Sequence, residues 1–318
     1  MKLTIVLTVY NKEAYLRRAF DSLLDQEGVN GNDYEVLVVN DGSTDGSASI
    51  IDEFVKGDDR VRVLTQENQG LSMARNNGVE AAKGEYVWFV DADDTISKKA
   101  VCLICGAANH GPDVIPIYAK TEGIERIRNN VDRDAETGRD VLLGGKWEPC
   151  GVFNIFKRAF LLNNSLSFIP GIYHEDDEFT PRVLYNAQTV KVVPEVLYTV
   201  YRDPNSITQV PRPKRAFDYL TVAESLSRFI EAKGEKDTDI GISIFTHAAL
   251  CINNGLYVIS QNSREEQRRF NRAFSEKKDV LLESLLTASQ SKYQLEGALF
   301  KLFNGGYVEL YKLLKIIK

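Results

Sequence analysis

LTIVLTVYNKEAYLRRAFDSLL, residues 3–24, changes its hydrophobic period once, and that change decides the fold. Leu3 to Val9 is an almost unbroken apolar run, as in a strand buried on both faces. After Asn11, placed to cap a helix, Leu16, Ala19, Phe20, Leu23 and Leu24 recur at helical spacing. The same alternation continues downstream. Tyr34 to Val39 predicts a second strand, Ser47 to Lys56 a short helix and Val61 to Leu64 a third strand. Leu71 to Ala82 predicts the next helix and Tyr86 to Val90 a fourth strand. Strands alternating with helices pair in parallel through right-handed crossovers, which places helices on both faces of a Rossmann-like α/β sheet.

Each of these strands ends in polar residues. Thr8, Tyr10 and Asn11 follow the first, and Asn40 and Asp41 the second. Gln66 and Asn68 follow the third, and Asp91, Asp93 and Asp94 the fourth. Turns favour such residues for local reasons. Parallel strands, however, bring their C-terminal ends to one edge, where open α/β sheets bind ligands.

Asp91-Ala92-Asp93-Asp94 is the most informative cluster. Carboxylates on a short turn suit Mg²⁺ or Mn²⁺ bridging phosphate oxygens. The plainer alternative is the acidic first turn of a helix, capped by Asp94 or Thr95. In Asp41-Gly42-Ser43-Thr44-Asp45-Gly46-Ser47, Asp41 is placed to accept hydrogen bonds from a base or ribose, while Asp45 or Ser47 can cap a helix. Arg75 either points into the crevice towards a phosphate or is a solvated arginine. Neither G-x-G-x-x-G nor G-x-x-x-x-G-K-[ST] occurs, which disfavours dinucleotide chemistry and P-loop hydrolysis.

Beyond Lys98 the pattern loosens. Val114 to Tyr118 reads as a strand, Lys120 to Asp140 as a loop or surface excursion, and Lys157 to Leu162 as a helix. Asp177 to Asn186 reads as a second helix and Thr189 to Val193 as a final strand. After Pro211 and Pro213 the chain reads as helical, so the expected division is 1–212 (halves 1–97 and 98–212) and 213–318. A formal charge of −6 argues against a nucleic-acid binder dominated by backbone contacts. Cys102 and Cys105 form a C-x-x-C inside the apolar AVCLICGAA, which reads as a core helix, because no second pair completes a zinc site. With no leader sequence before the first strand and no long apolar run, the expected location is cytoplasmic.

Four segments together resemble the nucleotide-binding half of family 2 glycosyltransferases with the GT-A fold. They are T-V-Y-N-K-E-A-Y-L at 8–16, V-V-N-D-G-S-T-D-G-S at 38–47, N-Q-G-L-S-M-A-R-N-N-G at 68–78 and G-E-Y-V-W-F-V-D-A-D-D at 84–94. The family commonly has proline where Thr8 stands. The resemblance implies transfer of one sugar from a nucleotide donor, a UDP-sugar by family habit, to a glycan or lipid-linked acceptor hydroxyl. It implies that Asp41 contacts the base, that Thr8, Tyr10 and Glu13 line the same pocket, and that Arg75 faces the nucleotide. Asp91 would lie near the ribose and share the metal with Asp93, which carries most of the contact. Further on, G-I-Y-H-E-D-D-E-F-T-P-R (171–182) is similar to the family's Glu-Asp motif and Y-R-D-P-N-S-I-T (201–208) to its arginine-serine segment. Arg202 would then approach the diphosphate or acceptor.

Glu175, Asp176, Asp177 and Glu178 all qualify by type as the base that accepts the acceptor's proton, and crowding is expected to raise at least one of their pKa values. The resemblance selects Asp176, with Glu175 contacting the acceptor or orienting the loop. His174 could approach the metal or a substrate hydroxyl, or serve a local structural contact. The basic, apolar tail KLFNGGYVELYKLLKIIK could dock on the inner face of a bacterial membrane, or pack on its own domain or on a second subunit in a homodimer. Two other readings stay open: nucleotidyl transfer onto a sugar phosphate, and a non-catalytic carbohydrate-binding domain.

Overall fold

The computed structural model describes residues 1–202 and 210–316. Their contacts divide the chain into two compact units, Met1–Gly171 with Val183–Asp203, and Ile172–Arg182 with Pro204–Lys318. Against the expected boundary at 212, this division falls after Asp203 and assigns the 172–182 segment to the helical unit.

The first unit is built on a nine-stranded mixed sheet. Strands β1 (Leu3–Val9), β2 (Tyr34–Asp41), β3 (Val61–Gln66) and β4 (Tyr86–Asp91) are parallel, in the order β3-β2-β1-β4. Every residue of β1 and β2 is buried, as their continuous apolar runs require of strands covered on both faces. The intervening helices are α1 (Glu13–Leu24), α2 (Ser47–Gly57) and α3 (Leu71–Ala81). Gly78 lets α3 approach β1, since a Cβ there would stand 2.4 Å from Val6 Cγ1. Asn11 does not cap α1. It adopts φ +52° and its side-chain oxygen accepts from the Thr44 amide instead.

Past β4 the sheet turns mixed. The two-residue strand β5 (Thr95–Ile96) precedes α4 (Ala100–Ala108), β6 (Val114–Thr121) and β7 (Ile124–Arg128). Then come α5 (Gly138–Gly144), β8 (Asn154–Lys157), α6 (Arg158–Asn163), α7 (Glu175–Asn186) and β9 (Val193–Val200). β8 lies antiparallel between β4 and β6, and β9 pairs parallel with β6 and antiparallel with β5. Two expectations are corrected here. The polar 120–140 stretch holds the end of β6, β7 and the start of α5, and its Asn129, Val131 and Ala135 are buried. The final strand starts at Val193, where the Thr189–Val193 segment expected as strand ends; Val190 makes only an isolated bridge to Val114. Irregular alternation in both places hid the pairing.

The second unit gathers the first turns of α7 with α8 (Pro213–Ala232), α9 (Asp239–Ser260), α10 (Arg264–Glu276), α11 (Lys278–Thr287), α12 (Ser291–Phe303) and α13 (Tyr307–Ile316). Proline at the first position of α8 lacks only an amide that a helix start leaves unpaired. α9 meets the length and apolarity of a spanning helix, but most of it is buried within the fold. It is the core helix of this unit.

Candidate active site

Parallel register sets the first unit's polar residues side by side. Thr8 pairs with Asp91, Val9 with Asn40, and Asp41 with Gln66. The loops leaving β1 and β2 are then laced together. The Asn11 amide donates to Ser43 Oγ (3.1 Å), Lys12 N to Ser47 Oγ (3.0 Å) and Glu13 N to Asp45 Oδ2 (3.1 Å). In return, the Gly46 amide donates to Glu13 Oε2. The Y-N-K-E and D-G-S-T-D-G-S segments are thus two halves of one scaffold. Asp45 also takes the Ser47 amide (3.0 Å), in the manner of a helix-start side chain.

Asp41 is buried and its carboxylate accepts Gln66 Nε2 (2.8 Å) and the Gln69 and Gly70 amides (2.8 and 2.9 Å). It therefore braces the loop ahead of α3. Gly42 permits this turn, with φ +73° and the Asn68 amide 2.8 Å from where a Cβ would lie. Of the remaining pocket residues, Thr8 is buried, while Tyr10 and Glu13 are exposed.

The acidic turn after β4 splits by environment. Asp91 (34 % exposed) accepts from Arg75 Nη2 at 3.2 Å, and Asp93 (21 % exposed) pairs with Lys12 Nζ at 2.5 Å. Arg18 donates to the Asp93 carbonyl and stacks on Tyr201 at 3.7 Å. Arg75 is no solvated arginine. It is 1 % exposed, lies beside the Phe89 and Phe168 rings, and supports Asp91 from behind.

Asp94 is buried, and it caps no helix. Its two oxygens accept the Tyr198 hydroxyl and the Tyr201 amide, each at 2.8 Å, and Tyr198 in turn accepts the Asp91 amide at 3.1 Å. Burial, reinforced by Asp91, pushes the Asp94 carboxyl up to about 8. Asp91 and Asp93 are therefore the outward-facing pair, and Asp94 holds the turn together from inside. Arg202 is exposed and follows Tyr201 directly; the rest of its motif, residues 203–208, lies outside the described residues.

The oxygen donors of Asp91 and Asp93 suit a hard divalent cation, and the ammonium of Lys12 already sits against one of them. The carboxylates fit such an ion. Sequence reading passed over Lys12 and Arg18; their signal is the spacing that starts α1 with basic side chains facing the β4 end.

In the second unit, α7 opens with Glu175, Asp176, Asp177 and Glu178. Glu178 is buried and engaged by Arg182 (two contacts of 2.6 Å) and Ser225 (2.7 Å). Asp177 is not an acid whose pKa crowding raises. Burial opposes its charge, but His174 and His247 outweigh it and hold the carboxyl at about 2. His174 makes a local contact, stacked on Tyr219 at 3.7 Å. Glu175 is buried and Asp176 half-buried.

A family model described as glycosyl transferase family 2 matches residues 4–163, half of the chain. The EpsH chain of Bacillus subtilis, which carries a provisional glycosyltransferase name, is 30 % identical over 266 residues, covering 79 % of this chain and 76 % of its own length. Among solved structures, Staphylococcus aureus TarS 1–349 in complex with UDP-GlcNAc superposes with a TM-score of 0.73 at 20 % identity, over 91 % of this chain and 84 % of that one. The Pyrobaculum calidifontis mannosyltransferase PcManGT, in complex with GDP-Man and Mn²⁺, gives 0.56 at 16 % identity, over 95 % and 87 %. These structural likenesses concern the fold. With the family model covering half the chain and a relative aligned across most of both sequences, the chain belongs to glycosyl transferase family 2 and is a glycosyltransferase of the GT-A fold.

Proposed function

We propose that this enzyme transfers a single sugar from a UDP-sugar to a glycan or lipid-linked acceptor hydroxyl, with inversion at the anomeric carbon. The observation that carries the reading is the outward-facing Asp91–Asp93 pair at the end of β4, braced from behind by Arg75 and from inside by Asp94. A UDP donor is supported by the complex of the structural neighbour TarS with UDP-GlcNAc. Thr8, Tyr10, Glu13 and Asp41 form the base-binding edge in this reading, Asp41 by holding the loop ahead of α3. Arg202 serves the diphosphate or the acceptor.

Asp93, with Asp91, would hold Mg²⁺ or Mn²⁺. Such an ion supplies charge neutralisation for the leaving diphosphate, and the Mn²⁺ complex of PcManGT supports it. The acceptor oxygen forms its bond to the anomeric carbon as the bond to the diphosphate breaks, and the electron pair leaves with the nucleotide. Asp176 takes the hydroxyl proton, and Glu175 orients the acceptor. The state of the other two acids supports that choice. Glu178 is committed to Arg182 and Ser225, and a carboxylate held at about 2, like Asp177, is a poor base. Activity on a surface polysaccharide precursor, inside the cell and at the membrane face, completes the proposal.

The test is release of UDP from a panel of nucleotide sugars, with and without Mn²⁺, by the full chain and by Asp93→Asn. Asp93→Asn should lose at least about 10²-fold in turnover while keeping its fold. Full activity in excess chelator would sink the metal part. Consumption of a nucleoside triphosphate and a sugar phosphate with pyrophosphate release would replace the reading by nucleotidyl transfer.

A further inference from the structure

The helical unit contains a second set of metal-ligand side chains. His247 and Cys251 lie four residues apart on α9, so both face the same way, and Asp177 in the first turn of α7 meets them. Asp177 Oδ1 is 3.3 Å from His247 Nε2 and 3.9 Å from Cys251 Sγ, and Sγ is 3.8 Å from Nε2. A point equidistant from three such atoms lies about 2.1 Å from each, against the ~2.0–2.3 Å of zinc bonds to oxygen, nitrogen and sulfur. We propose that Asp177, His247 and Cys251 bind a zinc ion, made of different side chains from the carboxylates after β4.

The chemistry of the set favours zinc over the hard cations. One imidazole, one thiolate and one carboxylate are a mixed N, S and O donor set, whereas Mg²⁺ and Ca²⁺ take oxygen almost alone. Two anionic ligands balance the charge of Zn²⁺. Cys251 is fully buried, His247 nearly so and Asp177 17 % exposed, so the ligands are shielded from bulk water.

The surroundings orient the carboxylate. His174 Nδ1 faces the other oxygen of Asp177, Oδ2, at 3.6 Å, while His174 Nε2 accepts from Arg215 Nε at 3.4 Å. With Nε2 accepting, Nδ1 carries the proton and engages Oδ2, which leaves Oδ1 turned to His247 and Cys251. His174 keeps a left-handed backbone, φ +64°, a conformation unfavourable for a non-glycine residue. Without metal, the cluster is held by hydrogen bonds: His247 Nε2 is 3.1 Å from the Asp177 carbonyl, and the thiol donates to Asp177 Oδ1. Zinc uptake breaks the S–H bond and sends its proton to solvent, and the imidazole proton moves to Nδ1. Three protein ligands leave one position for water.

Zinc content after gel filtration, and the spectrum of the full chain titrated with Co²⁺, test the site. The expected result is about one zinc per chain, with a thiolate-to-cobalt charge-transfer band, each falling at least about tenfold in Cys251→Ser and His247→Gln. Circular dichroism of both variants checks that they fold, and retained zinc in a folded Cys251→Ser overturns the proposal. So does a wild-type chain that holds no more zinc than the variants or gives a cobalt spectrum without the thiolate band. Asp93→Asn should keep the metal; its loss there would assign the ion to the donor carboxylates and overturn the second site.

Discussion

Each proposed metal ligand carries an ion pair from outside the acidic turn: Lys12 on Asp93 and Arg75 on Asp91. The two cations differ. Arg75 is sealed against Phe89 and Phe168 and stays with Asp91, whereas Lys12 is 28 % exposed and can exchange its place for another cation. Removing the ammonium should free Asp93 for metal. An exposed pair contributes up to about 1 kcal/mol, so Lys12→Met is expected to bind Mn²⁺ about two- to fivefold more tightly in the absence of donor. Electron paramagnetic resonance of free Mn²⁺ measures this, and weaker binding by Lys12→Met would refute it. Asp176 is the other residue on which the chemistry turns. Asp176→Asn should retain donor affinity and lose at least about 10²-fold in turnover with the true acceptor, a scale typical of a general base. A product that keeps the donor's anomeric configuration would count against Asp176 as strongly as a fully active variant.

Helices and strands explain why the site is where it is. The C-terminal ends of β1, β2, β3 and β4 each deliver a polar side chain because the parallel register aligns them, and reciprocal bonds between the loops before α1 and α2 lock two motifs into one support. The opposite end of β2 carries a different device. Glu35 is buried and accepts from Thr4 Oγ1, Arg62 and the Lys83 amide, tying β1, β2 and β3 to the segment ahead of β4. Burial pulls its carboxyl up, but these bonds together hold it below the ordinary 4.5. A depressed folded value means the bonds stabilise the sheet fully above about 4.5 and lose effect as pH falls through the folded value. Urea midpoints between pH 7 and 3 should therefore fall less steeply for Glu35→Gln than for the parent chain, from a lower start at pH 7. Parallel pH curves would show that Glu35 adds nothing to the acid limb.

At the scale of the molecule, the helical unit bears on where the enzyme works. Tyr307, Val308 and Tyr311 of α13 are buried, with the Tyr307 ring tilted against Phe274 at 4.1 Å, so much of the basic tail packs within its own unit. Cutting the chain after Phe303 would strip that packing and confuse binding with unfolding. The end of α12 offers a cleaner probe, because Leu302 is 76 % and Phe303 61 % exposed next to Lys301. If the chain docks on an anionic bilayer through this end, replacing both apolar residues by serine should weaken vesicle binding at least about tenfold, given ~1.5–3 kcal/mol for each side chain buried. Co-sedimentation with phosphatidylglycerol vesicles measures it. Equal, negligible binding by parent and double variant would end the membrane proposal.

Read alone, the sequence establishes the α/β alternation, the parallel pairing of the first four strands and the acidic turn after the fourth, because buried parallel strands write continuous apolar runs and strand ends write polar ones. The four glycosyltransferase-like segments come from the same hundred residues. Tertiary structure decides what periodicity cannot encode. Strands β5 and β8 are short and draw their partners from distant parts of the chain, so no local pattern announces them. Three aspartates within four residues look alike in sequence, yet Tyr198, 104 residues from Asp94, turns one of them inward and leaves two facing out. The sequence leaves Arg75 either facing the crevice or solvated, and the packing of Phe168 beside it removes the second choice. Asp177, His247 and Cys251 are separated by up to 74 residues and meet only because α7 and α9 pack. In each case the deciding partner lies far along the chain, and long-range packing is the physical information that a sequence window does not contain.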